Sequence, residues 1–242
     1  MSARVYNACL QPVNPPQHGS PPTSFLDQLI DAINPLPNDI FAPSANYDIY
    51  SVMLSTLGPW QGLLHRKAVM CEVLRVQPGF ESDWNWNCGV DTNNPSSIAH
   101  IEQQETGAFQ VSADSMHFDQ SLPDCVDRLA GAHDVITFIN SMKSNHPLAV
   151  EYVARLFRFN TTWAGTINKP SQVRGWVRRD AVAEFQTFLT LPTATPVAAP
   201  PMVTTVAAPR MMVAGAARPR PPKKRKTAKA GNVKKTTKRK PK

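Results

Sequence analysis

The sequence predicts a mainly α domain wrapped around one irregular polar segment, followed by a linker and a basic tail. Three observations predict it. About six stretches between residues 24 and 190 repeat apolar residues at helical spacing. Between them, residues 79–116 abandon that period for glycine, carboxylates, small polar residues and aromatic rings. Beyond residue 190 the composition turns to Pro, Ala, Val and Thr, then to Lys and Arg.

In chain order, residues 1–23 are rich in Pro, Asn and Ser, which predicts an extended, poorly ordered arm. Ser24 to Asn34 follows as a short amphipathic helix with Phe25, Leu26, Leu29, Ile30 and Ile33 on one face, ended by Pro35 and Pro37. Tyr47 to Leu57 repeats the pattern and closes at Gly58-Pro59. Gly62 to Val76 is apolar almost all round, the mark of a helix buried on most of its circumference. Pro78-Gly79 is expected to stop or bend it, because proline lacks the backbone donor a helix interior needs. Leu122 to Met142 reads as one helix with Gly131 as a weak point. Pro147 to Asn160 and Gly175 to Leu189 complete the set. The globular domain is therefore expected over 24–190, the linker over 191–217 with polyproline II character, and the disordered tail over 218–242.

Charge divides along the same line. Fourteen of the 26 Lys/Arg fall in residues 210–242 with no acid among them, leaving a body with 12 bases against 18 acids. An acidic domain thus carries a strongly basic arm, whose Lys223, Lys224, Arg225, Lys226, Lys238, Arg239 and Lys240 suit a non-specific contact with polyanions or nucleic acid. No apolar run is long enough for a signal-peptide core or a membrane span, so a soluble chain without a conventional export signal is expected. Its localisation stays open, with action at a cell wall by a non-classical route among the possibilities. The four cysteines have no CxxC or Cys/His pattern, and the histidines no HExxH spacing, so neither metal nor other cofactor is expected. Cys88 and Cys125 are available to pair in an oxidising compartment.

The chemistry concentrates at 79–116. Breaking a glycosidic bond needs a carboxylic acid that protonates the leaving oxygen, and apolar aromatic surroundings keep such an acid protonated. Glu81 follows the buried helix and has Phe80, Trp84 and Trp86 beside it, and aromatic faces are also what sugar rings stack on. The same residues read equally as a loop carboxylate beside a core tryptophan. Trp163 fits either a groove wall or core packing. Ser112 and Ser115 lack the glycine elbow of a serine nucleophile.

The order GFES, WNW, GVD, ETGAFQVSADS resembles the lysozyme superfamily, in particular its goose-type lysozyme and lytic transglycosylase branch, and a set of compact lysozyme-like bacterial proteins. The likeness runs over most of residues 60–190. It implies a lysozyme-like helical domain with a small β-hairpin lining a glycan groove. By that resemblance Glu81 of the Glu81-Ser82 pair is the general acid, and then the base. Gly107, Phe109 and Gln110 of the GAFQ turn hold the sugar, with Trp84, Trp86 and Trp163 along the groove. Asp91 and Glu105 are the candidates for a second carboxylate. The chain departs from the family at Pro78-Gly79, which would interrupt the helix before Glu81. Three functions are carried forward: a glycosidase or lytic transglycosylase acting on peptidoglycan or a related amino-sugar polymer, a non-catalytic glycan-binding protein on the same fold, and a basic-tailed nucleic-acid-binding protein.

Overall fold

The computed structural model describes residues 4–44, 47–89, 95–159, 167 and 172–189, all within the compact unit Met1–Pro196. Asp91, Trp163, the linker and the basic tail lie outside the described residues. Among the described residues there are eight α-helices: α1 (Thr23–Ile33), α2 (Ile49–Leu57), α3 (Leu63–Glu81), α4 (Pro95–Ala99), α5 (Ser121–Ala130), α6 (Val135–Ser144), α7 (His146–Phe159) and α8 (Arg179–Phe188). No helix among them is long and apolar enough to cross a membrane.

Two helices form the centre. α3 is buried without a break from His65 to Gly79, and α7 from Leu148 to Arg158. A helix buried on all sides must be covered on all sides. α8, α1 and α2 pack on α3, and α1, α5 and α6 pack on α7. α1 serves both by turning Phe25, Leu26, Leu29, Ile30 and Ile33 inward, and each such side chain contributes about 1.5–3 kcal/mol relative to exposure.

Charged residues on the central helices are buried only with partners, as a low-dielectric interior requires. Arg75 and Glu72, both with no side-chain exposure, bond at 2.7 and 2.8 Å. Arg75 also donates to the Gln11 carbonyl at 3.1 Å, and Glu72 accepts the Arg178 amide at 2.8 Å. Lys67 donates to the Asn34 carbonyl at 2.5 Å with its ammonium over the Phe41 ring. Arg158 of α7 reaches Asp48 at 2.9 Å, and Asp48 also caps α2 through a reciprocal pair with Ser51.

Local chemistry sets the helix ends. The stretch 122–142 is two helices instead of one. Gly131 adopts φ +86 and ends α5, and Asp134 starts α6 by accepting the amides of Ile136 and Thr137 at 3.1 Å.

Residues 4–22 differ from the poorly ordered arm expected of them. Cys9 and Val13 are fully buried and Tyr6 nearly so. Arg4 pairs with Asp27 and Asp31 of α1, and Glu184 of α8 accepts the amides of Asn7 and Cys9 at 2.6 and 2.7 Å. The segment is held by buried apolar anchors and by bonds from Arg4, Tyr6 and the Asn7 and Cys9 amides to carboxylates of α1 and α8.

α3, expected to stop or bend at Pro78-Gly79, instead continues through both residues and has Glu81 as its last residue. The indole N–H of Trp84 donates to the Arg75 carbonyl at 2.8 Å, and the amides of Ser82 and Trp84 both reach the Pro78 carbonyl, at 3.0 and 3.2 Å. The helix end that proline weakens is thus held by the residues that follow it. Gly79 is required by closeness and not by turning: a methyl group there would meet the Trp84 ring at 2.8 Å.

Candidate functional site

The segment that follows α3 folds back on it. After Ser82 the chain enters two consecutive left-handed residues, Asp83 at φ +51 and Trp84 at φ +59. Such conformations cost non-glycine residues on the order of 1–3 kcal/mol each and persist only where the surroundings over-determine them. Here the Trp84 indole is that determinant, with 5% exposure and its ring against Gly79.

The GAFQ turn lies against the same helix end. Ser82 Oγ donates to the Ala108 carbonyl at 2.7 Å, and Gln77 Nε2 donates to the Phe109 carbonyl at 3.0 Å. The Gly107 amide reaches the Cys88 carbonyl at 3.0 Å, which ties the turn to the stretch after the tryptophans. The Glu81-Ser82 pair and the GAFQ turn are therefore joined by a direct hydrogen bond across 26 residues of sequence.

The turn is closed by one antiparallel bridge, Thr106 with Val111, bonded at 3.1 and 3.3 Å. No strand extends from it among the described residues, so the expected β-hairpin is reduced there to a single rung. Gly107 has φ +72, and any Cβ there would come within 2.7 Å of the Met142 carbonyl on α6. Gln110, also left-handed at φ +46, returns its side-chain amide to the Gly107 carbonyl at 2.8 Å.

This geometry sorts the residues singled out from sequence. Glu81 is partly buried at the end of α3, and Glu105 is exposed immediately before the bridge. Gly107, Phe109 and Gln110 shape the turn: Phe109 is in the core, and Gln110 is 7% exposed with its amide spent on its own loop. Trp84 is 5% exposed with its N–H bonded internally, so only an edge of its ring reaches the surface. Trp86 stacks on Phe25 and on His146, with ring centroids at 4.9 and 4.1 Å, and meets Phe109 edge-on. Burial holds His146 below the ordinary histidine value, so an uncharged ring packs on the indole at neutral pH.

Two residues escaped the sequence reading. His18 Nδ1 lies 2.8 Å from Asp83 Oδ1, and its ring meets Phe80 edge-on. Nothing local marks them, because the contact spans 65 residues and one partner lies in the segment read as disordered.

The four cysteines are free thiols, and burial pushes Cys125 up to about 12, so it is protonated and unreactive at neutral pH. Among the described residues no group of His, Cys, Asp and Glu is arranged to hold a metal ion. Ser115 bonds to Tyr152 at 2.6 Å and to the Ser112 carbonyl, a packing role. Comparison with protein-family models, with curated proteins and with solved structures returns no match.

Proposed function

We propose that this chain is a glycosidase or lytic transglycosylase of lysozyme-like type, acting on peptidoglycan or a related amino-sugar polymer with Glu81 as its acid. The observation that carries this reading is the Ser82–Ala108 hydrogen bond, which joins the Glu81-Ser82 pair at the end of a long buried helix to the GAFQ turn. Those are the two motifs on which the resemblance to the lysozyme superfamily rests. The continuity of α3 through Pro78 adds support by removing the departure the sequence suggested. Glu81 ends a helix whose preceding residues are buried as far as Gly79, so its backbone is placed by the core and not by a loop.

In this mechanism the protonated Glu81 carboxyl gives its proton to the glycosidic oxygen. The bond from that oxygen to the anomeric carbon breaks, and positive charge develops on the sugar ring. The Glu81 carboxylate then takes a proton from the attacking group. Water yields a reducing end; the sugar's own hydroxyl yields a 1,6-anhydro end. Glu105 and Asp91 remain the candidates for a carboxylate that orients water. The basic tail would hold the enzyme on an anionic wall by charge attraction, or on nucleic acid, which is the competing partner.

The test is product analysis. Purified peptidoglycan incubated with the full chain should release soluble muropeptides, and the mass of their ends separates hydrolase from transglycosylase. Release that is equal with Glu81→Gln contradicts the catalytic role. Binding to peptidoglycan with no release by either protein identifies a glycan-binding protein.

A further inference from the structure

The N-terminal segment builds a cleft that no part of the proposed mechanism uses. The chain closes a small loop by the Val13 amide bonding to the Gly19 carbonyl at 3.0 Å, and packs Val13 against Gly79 at the end of α3. Between this loop and the residues just past Glu81 lies a cleft of about 320 Å³, at the lower end of ordinary ligand sites. Pro16, Gln17, His18, Ser20, Asp83 and Trp84 line it.

Its chemistry is selective. Asp83 supplies a carboxylate with 69% side-chain exposure, which disfavours an anion, while His18 opposite it offers a compensating donor. Gln17 and Ser20 add an amide and a hydroxyl, able both to donate and to accept. Pro16 and the Trp84 edge give apolar surface between them. Mixed donors and acceptors on a small apolar floor suit a neutral polyhydroxylated ring. The left-handed backbone at Asp83 and Trp84 turns the chain sharply out of α3 at this point.

We infer that the cleft between residues 16–22 and Asp83-Trp84 is a sugar-binding subsite, in which His18 and Asp83 hydrogen-bond an N-acetylhexosamine unit of the polymer, two residues beyond Glu81. The inference rests on the glycan reading given above and names the part of the chain that grips the substrate beside the acid. It assigns the N-terminal segment a direct role: a chain lacking it lacks one wall of the site.

The test uses the full chain carrying Glu81→Gln, so that no turnover occurs, titrated with the β-1,4-linked tetramer of N-acetylglucosamine and followed by backbone amide NMR. Shifts are expected at Gly19, Ser20, Asp83 and Trp84. Added His18→Ala or Asp83→Asn should each weaken binding by roughly tenfold, the worth of a hydrogen bond to a charged group. Ser20→Ala, an exposed position outside the His18–Asp83 pair, keeps the test readable if either of those variants is poorly folded, and a several-fold loss is expected. Tetramer binding with unchanged affinity in all three variants overturns the subsite and leaves the glycan reading standing. No binding by the parent, together with no muropeptide release by the wild-type chain, overturns both.

Discussion

The middle of α3 and its C-terminal end use charge in opposite ways. At Glu72 and Arg75 two charges are fully enclosed and every polar atom is answered from within, by each other, by the Gln11 and Trp176 carbonyls and by the Arg178 amide. At the end of the helix, Glu81 is partly open, Asp83 is mostly open, and the backbone is strained. A closed charge network fixes a fold, whereas carboxylates at the solvent-facing end of a rigid helix are accessible from outside. The difference teaches that the middle of the helix is built for stability, while its end keeps acidic groups in reach of solvent, where the proposed chemistry would take place.

Substitutions break this comparison from the structural side first. Arg75→Ala leaves Glu72 buried without its partner, and should lower unfolding free energy by about 3–5 kcal/mol in denaturant titration. Gly107→Ala combines a positive φ with a clash against the Met142 carbonyl, and should cost about 1–3 kcal/mol by the same measurement. Muropeptide release should fall as well, since the turn shifts relative to Glu81. Ser82→Ala should cost only about 1 kcal/mol of stability, yet reduce release by more than that loss explains, because it unties the helix end from Ala108. An activity loss that merely tracks the fraction unfolded would erase the distinction.

The smallest effect is one of pH. Burial holds His65 and His146 below the ordinary 6.5, with Arg66 adding to the effect at His65. A histidine whose folded value is depressed contributes stability that is complete above 6.5 and is lost as pH falls toward the folded value, because the unfolded chain takes up the proton first. Denaturation midpoints measured at about pH 7.5 and about pH 5.5 should therefore fall on acidification. His146→Gln should reduce that fall.

Much of the fold was legible from periodicity. Phe25, Leu29 and Ile33 on α1, and the apolar residues Ala68, Val69, Met70, Cys71, Val73 and Leu74 on α3, mark buried surface in the sequence itself. What was illegible depends on distant partners. Proline at position 78 reads as a helix stop because it lacks an N–H, and nothing in the local pattern announces that the Trp84 indole and the Ser82 and Trp84 amides will hold the helix end. Residues 4–22 read as disordered because Glu184, which orders Asn7 and Cys9, lies 177 and 175 residues away. At the site, Glu81-Ser82 and GAFQ were visible as motifs, and the hydrogen bond joining them was not. Trp84 and Trp86 were visible as aromatic residues beside Glu81, but the packing of their rings against Gly79, Phe25 and His146 was not.

The proposed chemical role of Glu81 at the end of α3 is tested most directly by Glu81→Gln, with stability and muropeptide release measured on the same sample. The account predicts unfolding free energy within about 1 kcal/mol of wild type, with release lower by roughly two to four orders of magnitude, the ordinary share of a general acid. Retained release, or a loss that appears only because the variant unfolds, contradicts it.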